Sequence, residues 1–91
     1  MTIWKYEFEV QDKFEVMMPT DAKVLSVQMQ GPQSCMWAQV EESQPATARQ
    51  FRVFGTGHSM TYEDMRYIGT LQMHGGMLVF HLCEVEGGPN L

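Results

Sequence analysis

The stretch Trp4 to Val10, "WKYEFEV", decides the fold. Trp4, Tyr6, Phe8 and Val10 alternate with Lys5, Glu7 and Glu9. Successive side chains of a strand point to opposite faces, so this alternation describes a half-buried strand with one wet face. Working outward, the same period recurs almost everywhere. Gln11-Asp12 makes a turn, after which Phe14 and Val16 oppose Lys13 and Glu15. Pro19 with Thr20-Asp21 ends that second strand, because proline cannot donate to a ladder. Lys23 to Gln30 forms a third strand, with Leu25, Val27 and Met29 expected on one face, and Gly31-Pro32 stops it.

Cys35 to Val40 reads as the fourth strand, Gln50 to Phe54 as the fifth and Tyr67 to Met73 as the sixth. The polar stretch Glu41 to Ala48 is expected to be a mobile loop. His74-Gly75-Gly76 gives a hairpin turn. Met77 to Cys83, "MLVFHLC", is apolar on both faces and reads as the central strand of the fold. Only Ser59 to Arg66, "SMTYEDMR", breaks the period; Thr61 and Asp64 at capping spacing allow at most one short helical turn. The expected class is therefore all-β, a small antiparallel sandwich or barrel of about seven strands. It forms one domain over residues 1–91, with an ordered core over 2–85 and a flexible tail at 86–91.

Composition narrows the function classes. Hydrophobic residues make up 44% of the 91-residue chain, enough for one packed core. There is no apolar run of about 18 residues, so no membrane partner is expected, and the amino end lacks the apolar centre of a signal peptide. A net charge of −5, with the six basic residues dispersed, argues against non-specific nucleic-acid binding. Cys35 and Cys83 read as buried, reduced thiols. His81 and Cys83 share one face of a strand, but no close pairing of metal-ligand type accompanies them, and neither a metal nor a cofactor is expected. The nine methionines, together with Trp4, Trp37 and Tyr62, exceed what one small core needs, which points to a homo-oligomer.

The segment "FRVFGTGHSM", Phe51 to Met60, holds the candidate site. Gly55, Thr56 and Gly57 follow a strand and leave backbone N–H groups able to form an anion-binding concavity. Arg52 lies upstream and His58 directly follows. The competing reading is that the glycines only bend the chain, since no proper helix opens behind them to add its dipole. "YIGT" at Tyr67 to Thr70 echoes "VFGT" at Val53 to Thr56, and two facing Gly-Thr pairs would frame a cleft between strands five and six.

Taken in order, "IWKYEFEV", "MPTDAKVLSVQMQ", "CMWA", "FRVFGTGH", "YIGTLQ" and "LVFHLCE" resemble a family of small, mostly uncharacterised phage-encoded β-rich accessory proteins, over about Thr2 to Glu84. The resemblance implies expression in the cytoplasm of a bacterial host and an accessory role. It suggests a non-enzymatic binder that counteracts antiviral defence by sequestering a small anionic, nucleotide-like signal or by blocking a host defence protein. In the ligand version the amides of Gly55, Thr56 and Gly57 hold the anion with Arg52 and Arg66, His58 adds a hydrogen bond, and Trp37 or Tyr62 stacks on a base. This version requires Arg52 and Arg66 to converge on the loop. The alternatives are a structural or virion-associated assembly protein, and a small hydrolase of a phosphorylated substrate with His58 and Asp64 as acid and base.

Overall fold

A computed structural model describes residues 1–60 and 64–86. Every element among these residues is a strand: β1 (Thr2–Phe8), β2 (Lys13–Pro19), β3 (Lys23–Gln30), β4 (Gln33–Val40), β5 (Ala46–Gly55), β6 (Met65–Met73) and β7 (Leu78–Val85). All pairings are antiparallel. One sheet has the order β1-β4-β3 and the other β2-β5-β7-β6, which makes a small all-β sandwich. The strand β7 lies inside its sheet, hydrogen-bonded to β5 on one side and β6 on the other, and its residues Leu82, Cys83 and Glu84 are buried.

The core fills the space between the sheets. Val27, Met36, Ala38 and Val40 from the three-stranded sheet meet Met18, Phe51, Leu71 and Leu82 from the other, all buried. Phe8, Phe14 and Phe51 stack in sequence at centroid distances of 4.8 and 5.4 Å, tying β1 and β2 to β5. The sheets approach most closely where β3 meets β6. There a Cβ on Gly69 would stand 2.9 Å from Val27 Cγ1, so only glycine allows this contact. The β6 ladder shifts register between Tyr67 and Gly69, which places Ile68 in a bulge beside that contact.

Charge closes the same end of the sandwich. Glu84 faces the interior and is 5% exposed. Arg49 holds it through both Nε and Nη2, and Arg66 Nη2 lies 3.7 Å from it. Arg66 Nη2 also donates to the Val24 carbonyl of the opposite sheet at 3.1 Å. A carboxylate buried there is tolerable because two guanidinium groups replace its water.

Three expectations need correction. β3 is bulged between Val24 and Ser26, so Val24 joins Val27 in the core while Leu25 is left 43% exposed. β5 begins at Ala46, because Ala46, Thr47 and Ala48 pair with Pro19, Met18 and Met17; the expected loop over Glu41 to Ala48 shrinks to five residues, Glu41–Pro45. The first strand ends at Phe8, short of Val10. The helical turn expected around Thr61 falls on residues 61–63, outside the described residues, and no helix occurs among the described ones.

Candidate functional site

The ladder of the four-stranded sheet assembles a polar cluster on its outer face. Thr70 pairs with His81 and His81 with Phe54, so one rung carries all three side chains outward. On the neighbouring rung Tyr67 pairs with Cys83 and Cys83 with Arg52. Beyond the end of β5 the chain stays attached through Thr56 N–H, which donates to the Val79 carbonyl at 3.2 Å. That bond carries the Thr56 hydroxyl to the His81 ring.

His81 is the hub. Its Nε2 lies 2.7 Å from Thr56 Oγ1; its Nδ1 lies 2.8 Å from Tyr67 Oη and 3.3 Å from Thr70 Oγ1. Tyr67 Oη and Thr70 Oγ1 are themselves hydrogen-bonded, and the Tyr67 and His81 rings tilt against each other at 5.9 Å. Every partner of the imidazole is a hydroxyl, which can donate or accept. Either neutral tautomer therefore keeps a bond at each nitrogen. The arrangement in which Thr56 Oγ1 donates to the Val79 carbonyl at 3.4 Å puts the proton on Nε2.

The Gly55–His58 turn folds over this cluster. Gly57 takes φ 87°, in the left-handed region, and His58 N–H closes the turn on the Gly55 carbonyl at 3.0 Å. The His58 ring then packs on Gly55: a Cβ there would meet Nδ1 at 2.9 Å. His58 thus stands as a partition between two open grooves. One, of about 330 Å³, is lined by Phe54, Thr56, His58, Met60, Tyr67 and His81 together with the two glycines. Carboxylates and permanent cations are absent from its described lining, so it offers hydroxyl, imidazole and aromatic surface. The other, of about 370 Å³, opens toward the β1–β2 turn and includes Asp12, Arg52, His58 and Ser59. The Arg52 guanidinium sits 5.7 Å over the Phe54 ring, a cation–π contact.

Of the residues singled out in the sequence, Arg52, Gly55, Thr56, Gly57 and His58 come together here. Arg66 does not. It shares a rung with Glu84 and Phe51 and faces the interior, so the two arginines project from opposite faces of one sheet. The ligand version that required both arginines at the loop is therefore withdrawn; alternation along β7, where Arg52 pairs with Cys83 and Arg66 with Glu84, forbids it. Trp37 is also withdrawn from the site, because it pairs with Lys5 and Ser26 on the outer face of the other sheet. Tyr62 lies outside the described residues. Among the described residues no hydrogen bond joins His58 to Asp64, whose carbonyl accepts from Glu86 N–H.

The echo of "VFGT" in "YIGT" had a meaning that strand order reveals. β5 and β6 are not neighbours; β7 runs between them, and His81 fills the expected cleft by bonding to the threonine of each motif. His81, Tyr67 and Thr70 are the residues sequence reasoning left out of the site, and the repeated Gly-Thr pair was the signal for them.

No curated protein and no solved structure matches this chain. A family model described as a domain of unknown function, DUF7352, matches residues 1–90. The chain carrying this hydroxyl–imidazole groove is thus a member of the DUF7352 family.

Proposed function

We propose that the protein is a non-enzymatic binding module that captures a small nucleotide-like ligand on the outer face of its four-stranded sheet. The observation that carries this reading is the His81 hub, an imidazole bonded on both sides by hydroxyls of two Gly-Thr motifs at the floor of an open groove. Holding four side chains in one network at a largely exposed surface costs rotamer entropy that folding alone does not require. A ligand with both donors and acceptors on a flat ring can exchange bonds with such hydroxyls whichever way each is turned. The groove volume of about 330 Å³ lies at the lower end of small-molecule sites, roughly 300–1,000 Å³. The ring would lie against Phe54, Tyr67 and His81, and an anionic group would extend past His58 toward Arg52; with Arg66 on the other face, this reading replaces the two-arginine site by one built mainly of hydroxyl, imidazole and aromatic groups.

The resemblance to phage-encoded proteins supplies the setting: sequestration of a nucleotide-derived defence signal in a bacterial host. The test incubates the purified chain with lysate of infected cells that carry nucleotide-signalling defences, then denatures it and identifies released small molecules by mass spectrometry. An intact nucleotide-type molecule is expected from the wild type, and none from His81→Ala or Thr56→Val. A degraded nucleotide would mean an enzyme. If neither the lysate nor millimolar mono- and cyclic dinucleotides perturb the amide resonances of Gly55 to His58, the binding reading fails.

A further inference from the structure

The sandwich leaves β1 with one unpaired edge. Among the described residues β1 bonds to β4 on one side and has no strand on the other, whereas the outer edge of β3 is closed off by its approach to β6. Unpaired strand edges invite pairing with another chain unless proline, bulges or short length blunt them. β1 has seven residues in regular register with β4, no proline and no bulge. It also carries exposed apolar surface: Ile3 is 59% and Trp4 40% exposed. β2, the other free edge, ends in Pro19 and exposes only Met17 among large apolar residues.

We propose that this edge pairs with β1 of a second copy, antiparallel about a twofold axis at Tyr6. The backbone limits the register and the charges choose within it. The Phe8 carbonyl accepts from the side chains of Gln33 and Ser34, so it points toward β4. Backbone groups alternate in direction along a strand, which turns those of Thr2, Trp4 and Tyr6 to β4 and those of Ile3, Lys5 and Glu7 to the free edge. A twofold antiparallel pairing must therefore oppose odd residues with odd ones. Centring it on Lys5 would set Lys5 against Lys5, and centring it on Glu7 would set Glu7 against Glu7, both repulsive. Centring it on Tyr6 opposes Lys5 with Glu7 of the second copy, twice by symmetry, as hydrogen-bonded pairs. On the inner face the same register sets the exposed Trp4 ring against Phe8 of the second copy. Two three-stranded sheets thereby become one of six strands, and a self-complementary patch is what a twofold interface demands.

Lys5 and Glu7 already lie 3.7 Å apart within one chain, and Lys5 also donates to Gln30 Oε1 at 2.7 Å, but both side chains are well exposed and exchanging their charges should leave the fold intact. The test is a charge swap on the full chain, read by analytical ultracentrifugation at about 100 μM with circular dichroism to confirm folding. Wild type is expected as a dimer. Lys5→Glu and Glu7→Lys should each weaken dimerisation at least tenfold, and the double swap Lys5→Glu with Glu7→Lys should restore it. A wild-type monomer at this concentration overturns the proposal. So does a dimer that ignores the single swaps, or one that the double swap does not rescue, since only the register centred on Tyr6 regains complementarity.

Discussion

Glu84 and Glu86 share an arginine, and the structure assigns them very different weights. Glu84→Gln keeps the size of the side chain and one acceptor oxygen but removes the charge. In the wild type that side chain is buried, takes two donors from Arg49 and has Arg66 at 3.7 Å. Breaking a fully buried ion pair from one side costs about 3–5 kcal/mol, because the remaining charge stays out of water. Here Arg49 is 21% and Arg66 37% exposed, so both can recover some hydration. The expected loss is therefore about 2 kcal/mol, below the fully buried range. For a domain of this size that corresponds to a fall in Tm of about 8–16 °C. Glu86 lies 3.8 Å from the same Arg66 but is 55% exposed, and Glu86→Gln should cost under about 0.5 kcal/mol. Urea melts and calorimetry of both variants at low and high salt supply the comparison. Salt should erase the small Glu86 effect and leave most of the Glu84 effect. Equal effects from the two substitutions, or a Glu84 loss below 0.5 kcal/mol, would refute the account of this end of the sandwich.

Gly69→Ala should destabilise by about 1–3 kcal/mol in urea, because the new methyl would press on Val27 where the two sheets meet. Gly55→Ala, whose methyl first meets the movable His58 ring, should cost less than about 1 kcal/mol yet shift the His58 ring resonances; an unmoved ring would deny the packing described. The Tyr6 hydroxyl is buried without a hydrogen-bond partner among the described residues, so Tyr6→Phe should leave stability unchanged or raise it by up to about 1 kcal/mol, and a loss would show a missed partner. Burial pushes the Cys83 thiol up from its ordinary value of 9.0. Its thiol stays protonated in the fold where the unfolded chain would ionise, so its contribution to stability is present below that ordinary value and declines as pH rises above it. Thiol reagents at pH 8 should therefore label Cys83 only after urea unfolds the chain; rapid native labelling would contradict its burial.

Much of the architecture was legible in the chain because strand periodicity is local. The alternation in "WKYEFEV" and the apolar run "MLVFHLC" each need only their own neighbours to be read; both segments form strands, and β7 has a neighbour on each side. The bulge at Leu25 was not legible, because one extra residue leaves the composition unchanged and shifts only what faces the core. The five residues from Arg52 to His58 that reached the site were contiguous or nearly so, and contiguity survives any fold.

Arg66 shows the limit of that reasoning. Its type and nearness in sequence to the loop suited an anion clamp, but whether it faces outward depends on its register with Glu84, and the bulge at Ile68 separates that register from the one at Thr70. His81 shows the converse. Within its own strand it was marked only as sharing a face with Cys83, and it becomes the centre of the groove because β7 runs between the two strands that carry the Gly-Thr motifs. From the sequence alone came the seven strands and most of the turns between them, though not the start of β5 or the end of β1, since those depend on which strand the segment finds to pair with. Tertiary structure alone decided which faces meet, because strand order and register are set by the joint burial of distant apolar faces.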